Sequence, residues 1–170
     1  FQLFGGYQNL KNDLLYSYSS LSDTSIGTVS TMLAFTQIHT DNVYAGIKLT
    51  YDYKDVLSLS AHYIYRNWNS DNNEYLLAVK PENEASISLN VHPTSALQLN
   101  AGFDYISRKE EATSFNMSDI SDLHIGASYN VFKGVSIYAQ VHNLLNKKYQ
   151  YYLGYPTEGF NFLGGLSFRF

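Results

Sequence analysis

Histidine is the residue type of this chain that most readily suggests chemistry. Four of the five histidines, His62, His92, His124 and His142, occupy even positions in segments where apolar and polar residues alternate. A short turn near 133–134 would place His124 nearly opposite His142 on neighbouring strands, as a metal or haem contact requires. A hydrated surface also accepts histidine as a neutral polar side chain, and no third ligand is evident. We therefore treat His124 and His142 as candidate ligand contacts and expect no resident metal or cofactor.

Aromatic residues in polar loops form the second group of candidates. Five loop residues, Trp68, Tyr75, Tyr151, Tyr152 and Tyr155, could stack on a sugar or a metal chelate, although packing within the loops or anchoring at an interface explains them equally well. The sequence has no nucleophile elbow, phosphate loop or His-x-x-x-His spacing, and its many serines form no positioned Ser–His–Asp triad. We expect no enzymatic activity, and we add Trp68, Tyr151 and Tyr152 to the candidate ligand contacts.

The composition points to a surface with one apolar side and one wet side. Charged residues make up only 15% of the 170 residues and aromatic residues 16%, yet the mean hydropathy is −0.23. Apolar residues must therefore be interleaved with neutral polar ones, and no apolar run reaches the roughly 18 residues of a membrane-spanning helix. The absence of cysteine excludes disulfides, thiolate zinc sites and cysteine nucleophiles. A net charge of −4 without a basic cluster argues against a nucleic-acid partner.

A period of two recurs in segment after segment, which predicts β-strands. From Leu123, for example, odd positions hold Leu, Ile, Ala, Tyr and Val, whereas even positions hold His, Gly, Ser and Asn. Clear segments of this kind begin at Leu57, Ala85, Leu97, Leu123, Val135 and Phe160. Two earlier stretches, about 1–19 and 31–53, fit less cleanly, and the glycine pair at 5–6 makes the first register uncertain. We predict about eight strands, each able to cover the ~9–11 residues of a tilted membrane strand.

The predicted connections alternate strictly between short and long. Short turns are expected at 53–56, 93–96 and 132–135. Long polar loops are expected at about 20–30, 67–83, 107–120 and 144–159. Outer-membrane barrels have tight periplasmic turns and extended extracellular loops, so this asymmetry favours an all-β, antiparallel, up-and-down transmembrane barrel.

A soluble β-sandwich would also show such alternation, with the odd residues in its core. Three features favour the membrane instead. The polar face carries few charges, although exposed sheets usually carry lysine and glutamate there. Tyrosine and phenylalanine gather towards strand ends, as in the aromatic girdles of lipid-facing barrels, and the chain ends on a strand whose last residue is phenylalanine. We expect the odd residues to contact hydrocarbon and the even residues to line an aqueous interior; the sandwich remains a weaker alternative.

The final thirty residues resemble the TonB-dependent outer-membrane receptors. Residues 141–149, VHNLLNKKY, are similar to the family signature V-x-N-L-F/L-N/D-K-x-Y, and GYP at 154–156 begins an ending similar to G-Y-P-x-x-G-R-x-F. The residues that carry this family motif are Asn143, Leu144, Tyr149, Gly154, Tyr155, Pro156 and Gly159. Phe160 stands where many members have arginine, a departure common in Bacteroidetes-like members. The resemblance implies that Phe162, Leu166, Phe168 and Phe170 form the signal read by the outer-membrane assembly machinery.

The resemblance implies that residues 1–170 are one transmembrane segment, the carboxy-terminal sector of a 22-stranded barrel. The plug domain, the TonB box and the remaining strands would lie elsewhere, since the chain opens inside a predicted strand without a signal peptide. Implied partners are outer-membrane lipid, the rest of the barrel and its plug, the TonB complex through that plug, and a small-molecule or glycan ligand. The implied function is energised import of a scarce bulky nutrient: an iron-siderophore, haem, cobalamin or a glycan.

The strand pattern leaves a second interpretation open. Eight strands can close on themselves, with side chains filling a narrow interior. The alternative is therefore a self-contained eight-stranded outer-membrane protein with a structural or adhesion role.

Overall fold

The computed structural model describes residues 1–23, 28–70, 79–108, 117–152 and 154–169, with side chains described outside 15–36. Ten β-strands lie in these ranges. They are β1 (Gln2–Asp23), β2 (Thr28–Tyr53), β3 (Leu57–Ser70), β4 (Pro81–Val91), β5 (Leu97–Arg108), β6 (Ile120–Phe132), β7 (Val135–His142), β8 (Gln150–Tyr152), β9 (Tyr155–Pro156) and β10 (Asn161–Phe168). Among the described residues, no helix has the length and apolarity needed to cross a membrane.

Eight of the strands form one antiparallel sheet in the order β1-β2-β3-β4-β5-β6-β7-β10. Each strand pairs with its predecessor in the sheet, so the topology is up-and-down, as predicted. The remaining strands, β8 and β9, form a separate two-stranded hairpin within the connection between β7 and β10. The predicted number of about eight sheet strands is confirmed.

The first predicted long loop, at 20–30, is wrong in its extent. β1 and β2 remain paired out to Asp23 opposite Thr28, so only residues 24–27 lie between the two strands. The serines and threonines there suggested a loop, but hydroxyl side chains also fit a strand once a neighbouring backbone supplies hydrogen bonds. The glycine pair at 5–6 keeps a regular register; the ladder shifts instead between Leu10 and Asp13.

The short turns all lie at one end of the sheet. They connect β2 to β3, β4 to β5 and β6 to β7. Lys54 and Gly134 adopt left-handed backbone conformations there, with φ of 49° and 81°. A Cβ atom on Gly134 would lie 2.5 Å from the backbone oxygen of Arg169, so glycine is required both by conformation and by space. The opposite end, called here the long-loop end, carries the connections after β1, β3, β5 and β7.

Cross-strand registers collect most of the apolar residues of the sheet on one face, called here the apolar stripe. Ala101 pairs with Ile125, which pairs in turn with Val141. In β3 to β7 the stripe is formed by odd-numbered residues, whereas in β10 it is formed by even-numbered ones. Phe162 of β10, for example, pairs with Val141 of β7.

The apolar stripe is exposed rather than packed. Leu59, Ile87, Leu99, Ile125 and Ile137 are between 38% and 50% exposed. No second sheet covers this face in the described part of the chain. A soluble sandwich would bury these side chains between stacked sheets, so the sandwich interpretation is wrong. A surface of this kind suits a hydrocarbon environment, where each backbone group must be paired by a neighbouring strand.

Candidate functional site

Ionic side chains of neighbouring strands meet on the face opposite the apolar stripe, called here the polar face. Arg66 donates from Nη1 to Oε2 of Glu84 at 2.8 Å, and His62 Nε2 lies 3.6 Å from Oε1 of the same carboxylate. Glu84 therefore joins β3 to β4 through two basic side chains. Such a network suits a hydrated interior and contains no arrangement for catalysis.

The two candidate histidines lie together on the polar face. The rings of His124 and His142 stack with centroids 5.8 Å apart and an interplanar angle of 23°. Asp104 Oδ2 lies 3.9 Å from His124 Nδ1, and Gly102 leaves the space that the imidazole occupies, since a Cβ there would lie 2.2 Å from Nε2. Among the described residues, no group of three or more histidine, aspartate or glutamate side chains could hold a metal ion. The stacked pair is thus a polar contact surface, and its role towards a ligand stays a prediction.

The family motif forms the turn that leaves β7. Asn143 is 3% exposed and left-handed, with φ of 47°. Its Nδ2 donates to the backbone oxygens of Lys147 (2.8 Å) and Glu158 (3.1 Å), and its Oδ1 accepts from the Lys147 amide at 2.9 Å. Asparagine suits this position because it tolerates positive φ and carries both a donor and an acceptor. The backbone amide of Asn143 also donates to Asp122 of β6 at 2.9 Å, which fixes the turn to the sheet.

The second asparagine of the motif holds the far end of the same connection. Asn146 is also left-handed, with φ of 49°, and its Oδ1 accepts from the Phe160 amide at 3.0 Å. A Cβ on Gly159 would lie 2.8 Å from that oxygen, which explains the glycine. Leu144 is 38% exposed, and its amide donates to the Leu123 oxygen at 2.8 Å. Three motif residues, Asn143, Leu144 and Gly159, are therefore accounted for by turn structure rather than by ligand chemistry.

Tyr149 is the buried centre of the long-loop end. It is 5% exposed, and its ring contacts that of Tyr151 edge-on at 5.6 Å. Burial raises the pKa of Tyr149 far above its usual value, and the nearby Asp122 carboxylate, to which the phenol hydrogen-bonds, raises the pKa further. The Tyr149 backbone oxygen accepts from both the amide and the hydroxyl of Thr157. The segment 149–157 is thereby closed into a compact hairpin.

The GYP part of the motif completes this hairpin. Gly154 has φ of 85°, and its amide donates to Gln150 Oε1 at 2.7 Å. Tyr152 pairs with Tyr155 and Gln150 pairs with Pro156. The tyrosines on both strands remain exposed at the long-loop end: Tyr151 by 48%, Tyr152 by 68% and Tyr155 by 73%.

Arg108 joins three connections of the long-loop end, a role that the sequence did not reveal. It is 8% exposed at the end of β5. Its guanidinium donates to the backbone oxygens of Val79 (3.3 Å), Ser118 (3.0 Å), Gln150 (3.0 Å) and Tyr151 (3.5 Å). The sequence placed Arg108 in the predicted loop at 107–120 and contained no signal for these carbonyl partners, which lie 10 to 43 residues away.

Trp68 belongs to a small packed cluster rather than to an open surface. It is 8% exposed and packs with Ile38, against which Val79 also lies. The indole Nε1 donates to the Pro81 oxygen at 2.9 Å, and the Lys80 ammonium lies 4.8 Å from the ring centroid. A ligand contact by Trp68 stays a prediction, and Tyr75 lies outside the described residues.

The implied assembly signal lies on the apolar stripe. Phe162, Leu166 and Phe168 of β10 are 63%, 62% and 59% exposed. Phe170 lies outside the described residues. Recognition by an assembly machinery stays a prediction, and the geometry leaves these side chains accessible to one.

No family model matches the chain, and no curated protein matches it. Solved structures do. The copper transporter OprC superposes with a TM-score of 0.70 at 16% identity, over 99% of this chain and 29% of its own. FpvA of P. aeruginosa, in a pyoverdine–iron complex, superposes with a TM-score of 0.68 at 14% identity, over 98% of this chain and 24% of its own. OmpT of Vibrio cholerae, expressed in the outer membrane, superposes with a TM-score of 0.50 at 17% identity, over 96% of this chain and 50% of its own.

At these low identities, the superpositions show a shared fold and nothing more. The chain spans less than a third of the length of OprC and of FpvA. Their descriptions are those of a transporter and a pyoverdine-bound protein, not of enzymes. The chain has the fold of a sector of an outer-membrane β-barrel wall.

Proposed function

We propose that this chain is the carboxy-terminal wall sector of an outer-membrane receptor that imports a scarce, bulky nutrient with energy supplied through TonB. One observation carries the proposal: an up-and-down sheet with a single exposed apolar stripe superposes over nearly its whole length on parts of OprC and FpvA. The motif turn at Asn143 and the apolar ending of β10 add support from the sequence.

The edges of the sheet favour a sector of a larger wall over a closed small barrel. In the described part of the chain, the ladder begins at β1 and ends at β10, and these two strands do not pair with each other. Within hydrocarbon, an unpaired strand edge leaves backbone groups without partners, each at a cost of several kcal/mol. Further strands of the same receptor would supply those partners.

The two faces of the sheet would contact different surroundings in such a receptor. The apolar stripe would contact lipid, whereas the polar face, with the Glu84 network and the stacked histidines, would contact water and the plug. The hairpin and loops at the long-loop end would face the cell exterior, where a ligand arrives. Plug movement and coupling to TonB would belong to parts of the receptor outside this chain.

Complementation with the complete gene tests the proposal. A strain lacking the gene should lose accumulation of its nutrient, the intact gene should restore it, and deletion of TonB should abolish it again. Neighbouring coding sequence should supply a plug and further strands. A reading frame that contains only a signal peptide and this sheet would overturn the proposal in favour of the self-contained eight-stranded barrel. Uptake that persists without TonB would contradict the part of the proposal in which TonB supplies the energy.

A further inference from the structure

A cleft of about 440 Å³ opens between the β8–β9 hairpin and the outer ends of β4 and β5. We call it the tyrosine cleft. Its walls include the side chains of Tyr151, Tyr152, Tyr155, Ile106, Val79 and Arg108. The volume lies within the ~300–1,000 Å³ typical of small-molecule sites, and the lining is mostly aromatic and aliphatic.

The tyrosine rings are held on a fixed support. The amide and hydroxyl of Thr157 both donate to the Tyr149 oxygen, at 3.0 and 2.9 Å, and the Gly154 amide donates to Gln150 Oε1 at 2.7 Å. Tyr152 and Tyr155 nevertheless remain 68% and 73% exposed, so the hairpin presents rings that it does not use for its own packing. Exposed aromatic surface on a rigid support is a mark of binding sites.

The one charged residue among the described lining residues is Arg108, and its guanidinium is committed to structure. It is 8% exposed and donates to four backbone oxygens. These contacts consume most of its five N–H donors, which leaves little for a carboxylate or phosphate of a ligand. The cleft therefore lacks the anion-binding fork that an accessible arginine would provide.

The phenol of Tyr151 is neutral in this setting. Burial raises the pKa of Tyr151, and the carboxylates of Asp122 and Asp104 raise that pKa further, whereas a hydrogen bond with Tyr149 and the Arg108 guanidinium lower it. The net shift is upward, so the Tyr151 phenol keeps its proton and can donate a hydrogen bond to a ligand. What remains is a set of neutral rings with hydroxyl tips, which suits a ligand with an apolar face and hydroxyls at its edge.

We propose that the tyrosine cleft binds an uncharged saccharide, whose C–H faces stack on the rings of Tyr152 and Tyr155 while its hydroxyls form hydrogen bonds with the phenol groups. This inference rests on the proposed import function and narrows its nutrient to a neutral glycan. Recognition needs no covalent step and no metal.

Binding to the full-length receptor in detergent tests the inference, with maltohexaose, cellohexaose and mannohexaose as probes in calorimetry. Tyr152→Ala and Tyr155→Ala should each weaken binding of the preferred sugar roughly 2- to 10-fold. Tyr152→Phe should retain most of the affinity, because the ring remains. Tyr51→Ala is the matched control: it removes a ring that is 57% exposed on the apolar stripe, and it should leave affinity unchanged.

The outcomes separate this inference from the proposed function. Binding that both cleft variants weaken and the control does not would support the cleft. Binding unaffected by the cleft variants, or no binding of any of the three sugars, would overturn it, even if TonB-dependent uptake of an anionic iron chelate continued. Saccharide binding without energised uptake would leave the cleft in place and overturn the proposed function.

Discussion

Replacement of Ile125 by arginine tests which face of the sheet contacts hydrocarbon. Ile125 lies one residue before the middle of β6, is 41% exposed, and is flanked across strands by Ala101 and Val141. No described charged or polar partner stands beside it on the stripe. A guanidinium there would face acyl chains at the bilayer midplane, where arginine costs about 2–4 kcal/mol in barrel proteins.

Ser128 supplies the matched control in the same strand. It lies two residues beyond the middle of β6, on the polar face, where Gln98 and Tyr138 are its cross-strand partners. An arginine at Ser128 would reach an aqueous interior and keep its hydration. We expect Ser128→Arg to cost less than about 1 kcal/mol, the range of ordinary surface substitutions.

The measurement is urea unfolding of the full-length protein in phosphatidylcholine vesicles, followed by gel mobility with and without heating. Ile125→Arg should lower the folded-to-unfolded ratio about 30- to 1,000-fold, since ~1.4 kcal/mol corresponds to a factor of ten. Ser128→Arg should lower that ratio by less than about fivefold. Equal costs for the two variants, or a larger cost for Ser128→Arg, would refute the assignment of the faces and with it membrane residence.

Three further predictions concern the long-loop end. Asn143→Ala should destabilise the full-length barrel by about 2–4 kcal/mol in the same urea titration, because three hydrogen bonds of ~1 kcal/mol each and a tolerated positive φ are lost; Asn143→Gly should recover only the conformational part. Arg108→Ala should speed protease cleavage between β7 and β10, since four backbone oxygens lose their donor, and Arg108→Lys should give an intermediate rate; equal rates in all forms would contradict this role. Tyr149 has a pKa raised above 10.0, so the folded state holds that proton more tightly, and hydrogen-exchange protection of the hairpin should be full below pH 10 and fall as pH rises above it. Tyr149→Phe should reduce this pH dependence and leave the part that Tyr151 contributes, and protection that does not change between pH 9 and 12 in the unaltered protein would contradict the prediction.

The strand count and the composition of each face follow from local sequence. Side chains alternate across a strand with a period of two, so the residues of each face are set by neighbours within a few positions. Leu123, Ile125 and Ala127 on one side, with His124 and Ser128 on the other, already separate the two faces. The structure keeps that separation along most of each ladder from β3 to β7. The pairing shifts by one residue between Leu10 and Asp13 of β1, and in β10 the even residues lie on the apolar stripe.

The lengths of β1 and β2 were not predictable in this way. Serine and threonine between 17 and 31 occur in both loops and strands, so their types do not decide the outcome. Pairing of Asp23 with Thr28 depends on a long ladder that continues from Gln2 opposite Lys48. Such pairing is a property of two distant segments together, which no window of a single strand contains.

The candidate site was only partly predictable for the same reason. The sequence placed His124 near His142 because a short turn connects their strands, and the two rings do stack. For Trp68 the sequence left a ligand contact and packing within the loops both open; the structure shows packing with Ile38 and a hydrogen bond to Pro81, and a ligand contact stays a prediction. Arg108 carried no local signal at all.

By itself, the sequence determined that this protein is an antiparallel sheet with one apolar and one polar face, because alternation is encoded residue by residue. It also predicted a long connection at 144–159, next to the motif asparagine at 143, although the hydrogen bonds of that asparagine are a finding of the structure. Only the tertiary structure decided that Arg108 binds the loops together and that the hairpin tyrosines enclose a cleft with β4 and β5. Those arrangements depend on contacts between segments tens of residues apart, and their geometry exists only after the sheet has formed.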